Sequence, residues 1–188
     1  MARPKSDDKR NAILAAATRI IVAQGLSAPT AVIAQAAGVA NGTLFTYFET
    51  KSDLLNQLYL ELKSEMASTA LADLRPNLTL RNRFYRVWTN WAKWTLASPE
   101  KRRTLALLGV SDQITPATRA TAHKFMTPFA ELIEQSRAHG PLSKSPMSFV
   151  TALMNSIADA TMDYMIQDPS NAETHCKQGF DALWRILS

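Results

Sequence analysis

Asn41, Thr43, Thr46 and Tyr47, with the small Ala40 beside them, fall in one short stretch, Ile33 to Phe48, that reads IAQAAGVANGTLFTYF. Their chemistry is noncovalent. Amide and hydroxyl groups on a short, well-anchored helix can enter the DNA major groove and exchange hydrogen bonds with base edges. Such a helix has to be held from behind, and the same stretch supplies the means. Ile33 and Ala37 form an apolar stripe at i, i+4 on a preceding helix, and Ala34 leaves room for a second helix to cross closely. Gly38 stands where the chain must turn sharply and a Cβ would clash at positive φ. Val39, Leu44 and Phe48 supply the apolar contacts of the turn and the second helix. An ordinary helical hairpin also has a glycine turn, but Ala34, Gly38, Val39 and Leu44 together at these offsets favour a helix-turn-helix.

At 188 residues the chain can bury a full core, as one domain of ordinary size or as a small domain built onto a larger one. Its single cysteine, Cys176, excludes an internal disulfide and fits a reducing compartment, with a buried inert thiol as the default role. The charged start MARPKSDDKR is followed by an amphipathic run rather than the apolar core of a signal peptide. No stretch approaches the roughly 18 to 20 apolar residues that span a bilayer, so a cytoplasmic protein without a membrane partner is expected. A net charge of +5 favours polyanions only weakly. Through Leu54, six cations meet four carboxylates, so charge alone does not single out the N-terminal part. The densest cationic run, Arg81, Arg83, Arg86, Lys93, Lys101, Arg102 and Arg103, reads first as a solvated helix face and second as an anion site. Catalysis finds little support: HExxH, GxSxG and glycine-rich phosphate loops are absent, and His123, His139 and His175 are scattered. His175 and Cys176 are adjacent, so on a helix they point about 100° apart rather than at one metal. No catalytic residue, metal or cofactor is expected.

Helical periodicity runs through nearly every segment, and only six glycines punctuate the chain, which predicts an all-α protein. Ser6 can cap a first helix whose stripe is Ile13, Leu14, Ala17, Ile20 and Ile21 and which Gly25 ends. A short second helix begins near Pro29 and Thr30, and a third runs from about Asn41 to Phe48. The fourth, capped by Thr50 or Ser52, carries Leu55, Leu58, Leu62 and Met66 as far as about Leu74, where Pro76 breaks the pattern. An aromatic helix follows from about Thr79 to Ala97, then a short one opened by Pro99. Pro116 opens another that continues through Phe125, Met126, Phe129, Leu132 and Ile133 to His139 and Gly140. From Met147 to Ile166, Met147, Val150, Met154, Ile157, Thr161 and Tyr164 form one apolar series, while Phe149, Leu153 and Ala160 lie on another face. A helix apolar on two faces needs two partners. The last helix repeats the seam as Cys176, Phe180, Leu183 and Leu187, with Gly179 small enough for close approach and Trp184 beside it. These two helices could form half of an intermolecular four-helix bundle, or could bury the seam within one chain. The candidate dimer residues are Val150, Met154, Ile157, Thr161, Cys176, Phe180, Leu183, Trp184 and Leu187.

Over Gly25 to Leu55 the chain resembles the tetracycline-repressor (TetR) family of bacterial transcriptional regulators. The matching residues are Ile33, Ala34, Ala37, Gly38, Val39, Gly42, Thr43, Leu44, Tyr47, Phe48, Lys51 and Leu54, preceded by the helix Ala12 to Gly25. The resemblance implies a homodimer with an N-terminal three-helix DNA-binding domain, residues 1–50. A long fourth helix joins it to a larger helical domain, residues 51–188, that binds a small molecule and dimerises through its last two helices. It further implies that Asn41, Thr43 and Thr46, beside Ala40, look toward base edges or adjacent phosphates. Tyr47 and Lys51 would hold the DNA backbone, Thr30 would offer its hydroxyl and backbone N–H groups to a phosphate, and Gly42 would let the helix approach the duplex. Two departures stand out. Phe45 occupies a position where the family commonly has tyrosine, and the connection from Gly25 to Ile33 is one residue short, with Ala31 and Val32 in place of polar residues.

A dimer of this kind would present its two reading helices about one DNA turn apart, ~34 to 36 Å or a suitable multiple, to a palindromic operator. A small-molecule effector that favours a packing of the fourth helix with the heads farther apart lowers operator affinity, and a coupling of ~1 to 3 kcal/mol changes it about 5- to 150-fold. Phe84, Trp88, Trp91, Met126, Phe129, Met154 and Met162 are the candidates for an apolar cavity wall, although residues at these spacings also make ordinary core. Arg86 and Lys93 are the cations on the aromatic helix that an acidic group could meet. The expected function is that of a ligand-released repressor. A helical DNA-binding or interaction protein without an effector is the alternative.

Overall fold

Helices and turns account for all the regular structure among the described residues, 5–75 and 77–188, of the computed structural model; no strand occurs among them. In chain order the helices are α1 (Lys5–Gln24), α2 (Thr30–Ala36), α3 (Asn41–Tyr47), α4 (Lys51–Ala70) and α5 (Leu80–Ala97), then α6 (Pro99–Gly109), α7 (Pro116–Phe125), α8 (Thr127–Arg137), α9 (Met147–Gln167) and α10 (Ala172–Leu187). A 3₁₀ turn, Pro169–Asn171, joins the last two. None of the helices among the described residues is long and apolar enough to cross a membrane. The Ser6 side chain and Pro76 lie outside the described residues.

Two boundaries differ from expectation, each for a local reason. Helix α4 stops at Ala70 rather than near Leu74, because Asp73 adopts a left-handed φ of 57°. The Asn90 amide of α5 then donates to the carbonyl of Ala72 at 3.1 Å. The single helix expected from Pro116 to His139 is two, α7 and α8, with Met126 between them at φ −103° and ψ 10°. Pro128 explains the break, since it lacks an N–H and its ring collides with the carbonyl four residues back.

By packing, the chain divides into two units, one of residues 1–65 with 98–124 and one of residues 66–97 with 125–188. The division expected after residue 50 follows the motif, whereas side-chain contacts draw most of α4 and both α6 and α7 in with α1 to α3. The buried Thr104 hydroxyl of α6 donates to the Thr18 carbonyl of α1 at 3.1 Å. Lys101 meets Glu65 at 2.7 Å. Asn56 of α4 donates to the Gln113 carbonyl and accepts from the Thr115 N–H, clamping the connection between α6 and α7.

The second unit packs α5, α8, α9 and α10 around one apolar core. Phe84 meets Phe129 edge-on at 5.0 Å between ring centroids, and the indole N–H of Trp88 donates to the Cys176 carbonyl at 2.9 Å. At the crossing of α9 and α10, Gly179 lies so close to Thr161 that a Cβ there would collide with its side chain. Arg137, almost fully buried, pairs with Glu134 and donates to the carbonyls of Leu142 and Ser145, which fixes the loop between α8 and α9. At the corner before α10, Asp168 accepts from Asn171 and faces His175 Nε2 at 2.9 Å. Those two partners hold its carboxyl below the usual carboxylate range, His175 first.

Candidate nucleic-acid interface

Helix α2 ends in a hydrogen-bonded turn that dictates the direction of α3. Ala37 keeps helical geometry, Gly38 takes φ +70°, and the Val39 N–H returns to the Ala34 carbonyl at 3.0 Å, six residues spanned in the manner of a Schellman cap. Ala34 and Ile33 are buried in the angle between the two helices, as is Leu44 of α3, and Phe48 just beyond α3 is fully enclosed. A seven-residue helix is too short to persist alone, so these few apolar contacts hold it.

With Leu44 turned inward, α3 leaves Ala40, Asn41, Gly42, Phe45 and Thr46 exposed and Thr43 and Tyr47 half-buried. The eight residues assigned to DNA therefore separate into two sets. Ala40, Asn41, Gly42, Thr43, Thr46 and Tyr47 share α3 and its cap, whereas Thr30 begins α2 and Lys51 begins α4, both half-buried. The Thr46 hydroxyl donates to the Thr43 carbonyl at 2.7 Å, which leaves its oxygen as an acceptor for an outside donor. Open space surrounds Gly42, where an added Cβ would meet nothing within 4 Å.

Of the groups that fix α4 behind this helix, Thr50 is the expected cap, whereas the network around it was not foreseen from the sequence. Thr50 caps α4 by accepting the Asp53 N–H at 3.0 Å, and the Asp53 carboxylate accepts the Glu49 N–H at 3.1 Å, a reciprocal arrangement close to a capping box. Gln57 donates to the same carboxylate at 2.9 Å and accepts from Arg10 of α1 at 3.1 Å. Arg10 also lies over the Phe48 ring, 5.9 Å from its centroid. The Asp53 to Gln57 spacing of four was a readable sign of a helical pair. Nothing local marked Arg10, 47 residues away, as its third member.

The ligand and dimer candidates lie elsewhere, in the second unit. Phe84, Trp88, Phe129, Met154 and Met162 are buried members of its core, with Trp91 and Met126 packed against them. A cleft of about 690 Å³ in that unit is walled by other residues, on the outer face of α5 (Tyr85, Arg86, Lys93, Leu96) and at the α9–α10 corner (Met165, Cys176). Burial pushes the Cys176 thiol up, so it is a neutral part of that wall. Val150, Met154, Thr161, Cys176, Phe180, Leu183 and Leu187 also point into the chain's own core, with Ile157 and Trp184 against it. The seam closes within one chain because α9 and α10 bury it against α5 and α8. The other face of α9 is left uncovered, with Phe149 50% exposed, and Tyr164, expected in the seam, lies at its margin and is instead 61% exposed.

The sequence profile described as bacterial regulatory proteins, tetR family, matches residues 13–58, which hold α2, α3 and, except for Arg10, the network behind them. An uncharacterized HTH-type transcriptional regulator of Bacillus subtilis (strain 168), YhgD, is 32% identical over 82 residues, 43% of each chain; the chain thus matches less than half the length of that relative. The fold is similar to that of FadR from Bacillus subtilis, solved in complex with stearoyl-CoA, at 17% identity and a TM-score of 0.68 over 95% of this chain and 97% of that one. A solved structure from Shewanella sp. PV-4, assigned to the TetR family of transcription regulators, is 31% identical with a TM-score of 0.84, covering 94% of this chain and 96% of that chain. With this identity spread over nearly the full length of both, and the family profile resting on the helix-turn-helix itself, the chain belongs to the TetR family of bacterial transcriptional regulators.

Proposed function

We propose that this regulator is a cytoplasmic repressor that binds a palindromic operator as a homodimer and is released from it by a small molecule. One observation carries the DNA-reading part: α3 buries Leu44 and leaves Asn41, Gly42 and Thr46 facing out on a support of capped and hydrogen-bonded helices. Asn41 and Thr43 make no side-chain hydrogen bond among the described residues, and both are free to meet base edges. Tyr47, Lys51 and Thr30 stand at the margins, where a hydroxyl, an ammonium and a hydroxyl suit phosphates.

Two copies pair through the outer face of α9, where Phe149, Leu153 and Ala160 lie on one side of the helix, together with the adjoining face of α10. The buried seam holds those two helices as a platform for the pairing. Response to a small molecule draws support from the likeness in fold to FadR, which was solved with stearoyl-CoA bound. Helix α4 belongs to the first unit as far as Glu65 and to the second from Met66, which makes it the element through which a ligand would act.

Selection of duplexes from a random library tests the reading. A single palindrome should emerge, with half-site centres about one DNA turn or a suitable multiple apart, and affinity should fall steeply with salt. Recovery of no preferred sequence, or saturation by one chain per duplex, would overturn it. Tight binding that no small molecule relieves would instead favour a DNA-binding protein without an effector.

A further inference from the structure

The cleft on the outer face of α5 combines charge and apolar surface in a way the core candidates do not. Arg86 and Lys93 stand seven residues apart, two helical turns or ~10.5 Å along α5, so both side chains can reach one group lying between them. Both are exposed, and neither forms an ion pair or donates a side-chain hydrogen bond among the described residues. One carboxylate, Glu173 of α10, lines the same cleft, which leaves an excess of one positive charge. The rest of the wall is mixed: Asn82, Thr89 and Asn90 are polar, while Met165 and Cys176, both buried, and Leu96, open at the α5 C-terminal end, form an apolar stretch. On the neighbouring turns of α5 and α10, by contrast, Arg81 and Lys177 both meet Asp181.

We propose that this cleft binds an organic monoanion with an apolar body, its acid group between Arg86 and Lys93 and its body along Met165, Cys176 and Leu96. The assignment rests on the ligand-responsive reading above and gives that ligand a place and a chemical class. A neutral ligand leaves that excess charge without a counterpart. A cation is repelled by the excess charge.

Calorimetric titration of the full-length chain with octanoate, octanamide and octyltrimethylammonium tests it, because the three share a tail and differ in charge. Octanoate should bind at least tenfold tighter than octanamide, and the cation should not bind. Arg86→Gln with Lys93→Gln should reduce octanoate to the octanamide level, while Arg103→Gln, exposed on α6, should leave the preference intact. Leu96→Asn should weaken octanoate and octanamide alike. Equal binding of the acid and amide, octanoate binding unchanged in the double variant, or binding of none of the three would overturn the assignment. Operator affinity measured in the same titrations separates the two readings. Charge-selective binding without a change in operator affinity keeps the cleft and removes only ligand release, whereas loss of binding with intact operator recognition removes the cleft alone.

Discussion

Gly38 and Gly42 sit four positions apart and owe their identity to different physics. Gly38 holds φ +70° in open surroundings, so an alanine there would be strained by its backbone and not by a clash. Gly38→Ala should therefore cost about 1 kcal/mol of stability, read from urea unfolding. Gly42 is helical and equally open, and Gly42→Ala should stabilise the fold by ~0.5 kcal/mol while weakening duplex binding, an opposition that unfolding and gel-shift titrations on one variant would reveal. Among the polar residues, Tyr47→Phe should weaken all duplexes by a similar factor, whereas Thr43→Ala should alter the preference among them. The reverse pattern would mean that backbone and base roles are exchanged.

The elements read most easily from sequence were those whose determinants are local. The α2 turn needed one glycine and a few small residues within a dozen positions, and it lies where the spacing put it. The break between α7 and α8 was equally local, at Pro128, but the apolar pattern through Phe125, Met126 and Phe129 ran across it and concealed it. Ligand and interface residues were not legible, because an aromatic or thioether at helical spacing fills a core as well as it lines a cavity. The cleft was foreshadowed only by Arg86 and Lys93, and closing it takes residues of α9 and α10 that are far away in sequence. The α9–α10 crossing gives a prediction at this scale. Gly179→Ala should destabilise the fold by ~1 to 3 kcal/mol, since the new methyl has to displace Thr161, and Thr161→Ala should recover part of that loss in a double-mutant cycle by urea unfolding.

At the scale of the molecule, the two faces of α9 should respond differently to substitution. Leu153→Glu, on the outward side, should leave unfolding nearly unchanged, shift sedimentation toward one chain and reduce operator affinity. Leu183→Ala, fully buried, should cost ~2 to 5 kcal/mol in the fold whatever the association state. Equal effects of the two on unfolding would argue against a pairing surface on that side. The close meeting of Gly179 with Thr161 also limits how this pair of helices can move. Glycine occurs once in α10, so a shift of one helical turn along α9 would bring the Cβ of Cys176 or Leu183 toward the threonine. The pair therefore has no ratchet; displacement entering at either helix leaves it as rotation of both together.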